Sequence, residues 1–107
     1  MTLRPVVNEG SSHFVTVTCL DENGAAVTPD RVTVRVDALG AAAPVRATAE
    51  VSPAASFELH VTPAENALVV AGVDREERVV TVVVEYGTGK AVTGEYRYTL
   101  RALRFVP

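Results

Sequence analysis

The feature that most constrains the fold is a period of two in the apolar side chains. In HFVTVTCL, Val15, Val17 and Cys19 alternate with threonines, and in RVTVRVD three valines alternate with Thr33 and Arg35. Successive side chains of a strand point to opposite faces of a sheet, so this alternation predicts strands with one apolar and one polar face. The same period recurs in VRATAEV (45–51), SFELHVT (56–62) and VTGEYRYTLRALRFV (92–106).

One stretch departs from this alternation. RVVTVVVEY, residues 78–86, is apolar on both faces apart from Thr81. Such a run favours a central strand that is covered on both sides, or one whose outer face meets a partner. The preceding DREER, residues 74–78, is predicted to be a solvated loop. The following GTGK, residues 87–90, separates two strong strands and predicts a tight hairpin.

Turn residues divide the chain into about seven strands. Clusters of Gly, Pro and Asn separate the apolar runs, a weak first strand is predicted at 4–9, and no helical period repeats. Seven short strands with this spacing predict a single antiparallel β-sandwich over residues 1–107, and a chain of this length can bury a core of its own. The segment Thr62-Pro63-Ala64-Glu65 has the pattern of a capping box and predicts one short helical turn near 63–69.

The acidic stretch Asp21-Glu22-Asn23-Gly24 could be a metal loop, a carboxylate cluster or a bend between strands. A calcium loop needs oxygen ligands at alternate positions, whereas the residues after Gly24 supply no side-chain ligand until Thr28. Asn-Gly adopts positive φ at little cost, and Asp21 can accept hydrogen bonds from the backbone ahead of it. The stretch is therefore predicted to be a turn.

No other motif indicates a catalytic, cofactor or metal site. His13 and His60 lie on different predicted strands without neighbouring ligands, and a zinc site needs three or four convergent ones. Cys19 shares a face with valines and is predicted to be a buried, inert thiol. The three tyrosines (Tyr86, Tyr96 and Tyr98) are predicted to lie at the core edge with hydroxyls on backbone carbonyls, or else to form an aromatic contact patch. We expect no enzymatic activity.

Charge and hydropathy bear on partners. The formal net charge is −3 and the ten Lys and Arg are scattered, which argues against a nucleic-acid surface. No apolar run has the length of a signal peptide or a membrane span. A single cysteine allows no internal disulfide, and synthesis in a reducing cytoplasm is expected.

Several segments together carry a family resemblance. EGSSHFVTVTCLDENGAAVTP, VTVRVD, SPAASFELHVTPAENALV, VTVVVEYGTG and EYRYTLRALRFV resemble small proteins from the structural gene clusters of tailed bacteriophages and prophages. The likeness spans Arg4 to Val106 and is one of pattern rather than of a catalytic signature. It implies an immunoglobulin-like sandwich that forms part of the virion, with no catalytic or cofactor residues. VTVTCLDENGAAVTP alone also resembles immunoglobulin-like repeats of bacterial surface adhesins.

The resemblance predicts a non-enzymatic component of a tailed phage particle, located in the virion, as capsid decoration or cement, head–tail junction or tail accessory. Its partners would be other virion proteins and copies of itself, giving a homo-oligomer within the assembly. Residues 1–9 are predicted as an N-terminal arm or edge strand and 103–107 as a docking tail. The candidate interface residues are Leu3, Val6, Val7, Leu103, Phe105 and Val106.

A binding module that recognises a glycan or a host surface is the alternative. It would use loops 21–30 and 72–78, or the tyrosines. A small hydrolase is a third option that no residue favours.

Overall fold

The computed structural model describes residues 5–69 and 74–103, which form seven strands and, over those ranges, no helix. The prediction of an all-β chain is confirmed. The strands are β1 (Val6–Asn8), β2 (His13–Thr18), β3 (Arg31–Ala38), β4 (Arg46–Val51), β5 (Ser56–Val61), β6 (Arg75–Tyr86) and β7 (Lys90–Arg101).

The strands form two layers of unequal size. One sheet has the order β1-β7-β6-β3-β4 and the other contains β2 and β5. This order places β7-β6-β3-β4 opposite β2-β5, as strands G-F-C-C′ face B and E in an immunoglobulin-like sandwich. The predicted sandwich is thereby confirmed, with one correction to its uniform antiparallel pairing.

The exception is β1, which pairs with β7 in parallel. A tight hairpin forces antiparallel pairing only between strands that it joins directly. β1 is followed along the chain by β2, which lies in the other sheet, so no hairpin fixes the direction of β1 within its own sheet. The first strand is therefore paired at a sheet edge.

The core lies between the layers and consists mainly of the alternating apolar residues. Val34, Val80 and Leu100 of the large sheet pack in one cluster with Val15 and Leu59 of the small sheet. A second cluster surrounds Cys19, whose predicted burial is confirmed. Its members are Cys19, Val32, Val84 and Tyr86.

Two predicted turns are confirmed. The GTGK hairpin joins β6 to β7 with Tyr86 opposite Lys90, and Gly87 and Gly89 both have positive φ, at 58° and 70°. In the DENG turn, the Asp21 carboxylate accepts hydrogen bonds from the backbone N–H groups of Asn23 (2.9 Å) and Ala25 (3.0 Å). The positive φ values of Gly87 and Gly89 in the hairpin suit glycine, because it lacks a Cβ.

The capping box forms, but the helical segment is shorter than predicted. The Glu65 backbone N–H donates to Thr62 Oγ1 (3.2 Å), and the Thr62 N–H donates to Glu65 Oε1 (2.9 Å). Asn66 then donates to the carbonyl of Thr62, four residues earlier, at 3.1 Å. The Ala67 N–H also donates to the Ala64 carbonyl at 3.3 Å, so the hydrogen bonds of the turn reach residue 67. No helix continues to residue 69, since helix nucleation is unfavourable in so short a segment.

The prediction that DREER is a solvated loop is wrong. Residues 75–78 are the first part of β6, and the side chains of Glu76 and Arg78 are buried. Glu76 and Arg78 point to the inner face of the sheet, as the alternate residues Val80, Val82 and Val84 do. Two charged side chains are therefore buried in the interior.

The two-stranded sheet is too small to cover the five-stranded one. On β7, Val92 points to the inner face, yet its side chain is 46% exposed, and Gly94 beside it is also exposed. Over the described ranges no further layer covers the outer face of β6, where Val79 and Val83 lie. Of the two possibilities for β6, coverage of both faces by further layers is not seen among the described residues, although Val79 on the outer face is only 6% exposed, and an outer face that meets a partner stays a prediction.

Candidate functional site

The first candidate site lies where the two ends of the described chain meet. Val6 and Asn8 lie opposite Thr99 and Arg101, and the Glu9 N–H donates to the Arg101 carbonyl at 2.9 Å. The Leu103 N–H then donates to Glu9 Oε1 at 2.7 Å. Backbone and side-chain hydrogen bonds thus hold β1 beside the end of β7.

Apolar side chains are exposed along this edge. Val6 is 54% exposed and Leu103 is 41% exposed. Arg75 and Arg101, directly opposite each other on β6 and β7, border an open recess of about 570 Å³ next to Leu103. We call Val6, Arg75, Arg101 and Leu103 the terminal patch.

Of the other four predicted interface residues, one is buried and three lie outside the described residues. Val7 is 8% exposed and packs in the core, so its prediction as an interface residue is wrong. The cause is the alternation of β1, which turns Val7 inward and leaves Val6 outside. Leu3, Phe105 and Val106 lie outside the described residues.

A buried ion pair anchors the start of β6. The Arg78 guanidinium is fully buried and donates from Nε to Glu76 Oε1 at 2.8 Å. Its two other nitrogens donate to the carbonyls of Glu65 (2.6 Å) and Ala67 (2.7 Å). These bonds hold the turn over 63–66 against the large sheet, through a side chain that was predicted to lie in a loop.

A second buried polar contact joins the same turn to β7. The Tyr98 hydroxyl donates to Asn66 Oδ1 at 2.7 Å, and Asn66 Nδ2 donates to the carbonyl of Ser11 at 2.7 Å. Burial raises the pKa of Tyr98 to about 12, so its hydroxyl stays protonated and remains a donor. The Asn66 side chain therefore joins β7 to the segment that precedes β2.

An ion pair between Arg46 and Glu65 completes this region. Arg46 Nε donates to Glu65 Oε2 at 2.6 Å, and its Nη2 donates to Oε1 at 2.5 Å and to the His60 carbonyl at 2.7 Å. The bonds from Arg46 are the main cause that lowers the pKa of Glu65 from 4.5 to about 2. This pair spans β4 of the large sheet and the turn that follows β5.

That pKa predicts a specific loss of stability in acid. Because the folded-state pKa of Glu65 lies below its unfolded value, its contribution is present above about pH 4.5 and is lost as the pH falls towards 2. We expect the free energy of unfolding of the Glu65→Gln variant to fall less steeply between pH 5 and pH 2 than that of the natural chain. Urea unfolding at several pH values measures this.

Arg46→Met is the matched control, because it removes the cause of the shift and keeps the carboxylate. The same flattening of the acid limb is expected in this variant. If the free energy of unfolding of both variants falls as steeply between pH 5 and pH 2 as that of the natural chain, the ion pair does not form in solution.

The DENG turn is joined to the β6–β7 hairpin. Glu22 accepts from the Tyr86 hydroxyl (2.7 Å) and from Lys90 Nζ (2.8 Å). These bonds, that from Lys90 first, lower the pKa of Glu22 to about 2. The carboxylate is therefore ionised and engaged in ordering two turns.

Side-chain partners of the tyrosines differ from the prediction of backbone carbonyls. Tyr86 bonds Glu22, Tyr98 bonds Asn66, and the Tyr96 hydroxyl lies 2.9 Å from His13 Nε2. Because Tyr86 and Tyr98 are buried, the three rings do not form an exposed aromatic patch. Among the described Phe and Tyr residues, Phe14 has the exposed ring, which is stacked on His60 at a centroid distance of 4.6 Å.

The remaining reactive groups are placed as follows. Cys19 is buried, its thiol lies 3.6 Å from the Ala54 carbonyl, and burial raises its pKa, which disfavours the thiolate. Over residues 5–69 and 74–103, no group of three or more His, Cys, Asp or Glu is placed to hold a metal ion. The same ranges contain no helix that could cross a membrane.

Comparison with known proteins adds no relative. No protein-family model, no curated protein and no solved structure matches the chain. The class that the coordinates define is an immunoglobulin-like β-sandwich, and its role is inferred from its own residues.

Proposed function

We propose that this chain is a non-enzymatic structural component of a tailed phage particle that assembles through protein–protein contacts. Its place would be capsid decoration or cement, the head–tail junction or the tail. Support comes from the pattern resemblance described above, together with a fold in which the buried polar groups are used for internal fastening. The chain would be made in the bacterial cytoplasm and end in the virion.

The terminal patch is the observation that carries the proposal. It combines two exposed apolar side chains with an ordered backbone, held in place by the hydrogen bonds of Glu9. Full burial of an aliphatic side chain of this size gains about 1.5–3 kcal/mol. A patch that is already ordered loses little conformational entropy on binding, so more of this gain remains as affinity.

The recess beside Leu103 makes part of the terminal patch concave and lines it with charged residues. Its border includes Arg75, Arg101 and one acidic residue, Asp74, which leaves a net positive charge. Arg75 and Arg101 lie directly opposite each other on neighbouring strands, where like charges are unfavourable. Among the described residues neither guanidinium makes an ion pair, so a carboxylate of a neighbouring virion protein could bind both. An acidic, partly apolar segment is thus the partner chemistry that fits.

Removal of residues 103–107 tests the proposal. We expect the shortened chain to fold, because the core ends at Leu100, and to be lost from purified particles or strongly depleted in them. Quantitative mass spectrometry of particles gives the occupancy, and circular dichroism of the isolated variant checks the fold. Normal occupancy of a folded, shortened chain would contradict a docking role for this end.

One observation favours the alternative of a glycan-binding or host-binding module. Phe14 is 55% exposed and presents a ring on the outer face of the small sheet, stacked on His60. Exposed aromatic rings are suitable contact surfaces for partners with an apolar face. A glycan-array screen of the natural chain and of Phe14→Ala separates the two functions, since an assembly element shows no saturable signal.

A further inference from the structure

Most of the outer edge of β7 has no neighbouring strand among the described residues. β1 pairs only with Thr99–Arg101, so residues 90–98 have no neighbouring strand on that side among the described residues. The pairing of β7 with β6 is uninterrupted from Arg101 to Lys90. An unprotected, regular strand edge presents unpaired N–H and C=O groups that can pair with another chain.

The other edges of the five-stranded sheet are protected. β4, at the opposite edge of the large sheet, pairs with β3 through a register shift between Val34 and Val36, as a β-bulge does. Its residue Arg46 also donates to the His60 carbonyl of β5. β1 has only three residues and follows Pro5. Between Ala91 and Tyr96, β7 has no proline, no bulge and no charge on its inner face.

Gly94 lies in the middle of this free segment. Its φ is not positive, and a Cβ built there would have no atom within 4 Å, so neither the backbone nor the packing of the monomer requires glycine. Glycine inside a strand weakens it and often marks a place where another backbone approaches closely. The monomer contains no such backbone among the described residues.

We propose that β7 pairs antiparallel with β7 of a second copy of this chain, with Gly94 on the two-fold axis. In this register Val92 lies opposite Tyr96 of the second copy, and Thr93 opposite Glu95. The diagonal neighbour of Tyr96 is then the glycine of the second copy, and aromatic rings cover edge glycines in this way.

Several properties select a second copy over another occupant. Gly94 is the centre of residues 90–98, the part of this β7 edge with no neighbouring strand among the described residues, so a symmetric pairing about Gly94 leaves the pairs of Val6–Asn8 with β7 intact. No like charges face each other directly, since Arg97 lies opposite Ala91. The exposed side chain of Val92 gains an apolar partner. A closed two-fold contact also leaves no further free β7 edge.

This inference deepens the proposed function and rests on it, because it names the self-contact through which copies would associate. A dimer held by one strand pair is weak in dilute solution, and a particle raises the effective concentration of its subunits. The experiment must therefore trap the contact as well as measure mass.

A disulfide trap tests the register directly. In Gly94→Cys the two Cα atoms would lie about 4.5–5.5 Å apart, as for directly opposite residues in an antiparallel pair. This distance is within the range that a disulfide spans. We expect mild oxidation to convert the variant to a species of twice the 11.3 kDa monomer mass on non-reducing gels.

The matched control is Thr93→Cys, one residue away on the same edge. Its two copies would be diagonal neighbours at about 7–8 Å, beyond disulfide reach. Both variants keep the buried Cys19, so any cross-linking through Cys19 contributes equally to both. Cross-linking of the Gly94→Cys variant alone supports the inference. Equal cross-linking of both variants, or of neither, overturns it.

A second pair of variants measures association without a cross-link. Val92→Lys places a charge on the inner face of the free edge, and Ala49→Lys does the same at an exposed site of β4. Over a concentration series in sedimentation velocity, the natural chain and Ala49→Lys should shift towards dimer, and Val92→Lys should remain monomeric. A natural chain that stays monomeric at every concentration and still enters particles, with no specific cross-link of the Gly94→Cys variant, overturns the self-contact and leaves the proposed function standing.

Discussion

Replacing Arg78 by methionine is expected to lower the free energy of unfolding by about 3–5 kcal/mol. The guanidinium is fully buried and provides donors to the Glu76 carboxylate and to the carbonyls of Glu65 and Ala67. Methionine fills much of the volume but supplies no donor. Glu76 would remain buried without this cation, and two carbonyls would lose their hydrogen bonds.

Urea unfolding of the natural and variant chains gives this difference. Arg35→Met is the matched control, because Arg35 pairs with Asp37 on the exposed outer face, where an ion pair contributes about 0–1 kcal/mol. The double variant Glu76→Leu with Arg78→Met should recover part of the loss, since it removes both buried charges. A loss for Arg78→Met no larger than for Arg35→Met would show that solvent reaches the pair.

Replacing Leu100 by alanine is the second large effect, and we expect a loss of about 2–5 kcal/mol. Leu100 is fully buried in the main core cluster with Val7, Val80 and Tyr98. Truncation to alanine removes its transfer free energy and leaves a cavity between the two layers. The size of the loss depends on how far the neighbouring side chains close that cavity.

Leu103→Ala is the control, as it makes the same change three residues later on an exposed side chain. Its stability should change by about 0.5 kcal/mol or less. Its occupancy in particles should nevertheless fall if the terminal patch binds a neighbour. Thermal unfolding and particle occupancy, measured on both variants, separate stability from docking. Equal destabilisation by the two substitutions would contradict the assigned burial.

The alternation of valines was sufficient to predict the class of fold. In β3, Val32, Val34 and Val36 are buried and Arg35 is exposed, as a period of two requires. The GTGK hairpin and the DENG turn followed from the preference of glycine for positive φ. These are local properties, so the sequence contains them directly.

The burial of Arg78 could not be predicted from the composition of DREER, although the alternation of side chains along β6 indicated it. Arg78 and Glu76 are in phase with Val80, Val82 and Val84, and this phase predicts the inner face. A run of charges favoured a loop instead. Burying a charge is favourable only with partners, and those partners, the carbonyls of Glu65 and Ala67, come from a distant turn.

The candidate site was predicted only in part. The apolar character of Val6 and Leu103 marked the ends of the chain, but whether Val6 or Val7 faces outward depends on the register with β7. The free edge at Gly94 was also missed as a site. A glycine inside an alternating strand is the signal, and its meaning required knowing that the described residues of β1 pair with β7 only from Thr99 to Arg101.

The most direct test of a structural role in the virion is the copy number of this chain in gradient-purified phage particles from the host that encodes it. Quantitative mass spectrometry against the major capsid protein gives that number. We predict many copies per particle in a fixed ratio to another virion protein. Recovery of the chain only outside the particles, with none in the particle fraction, would contradict this role.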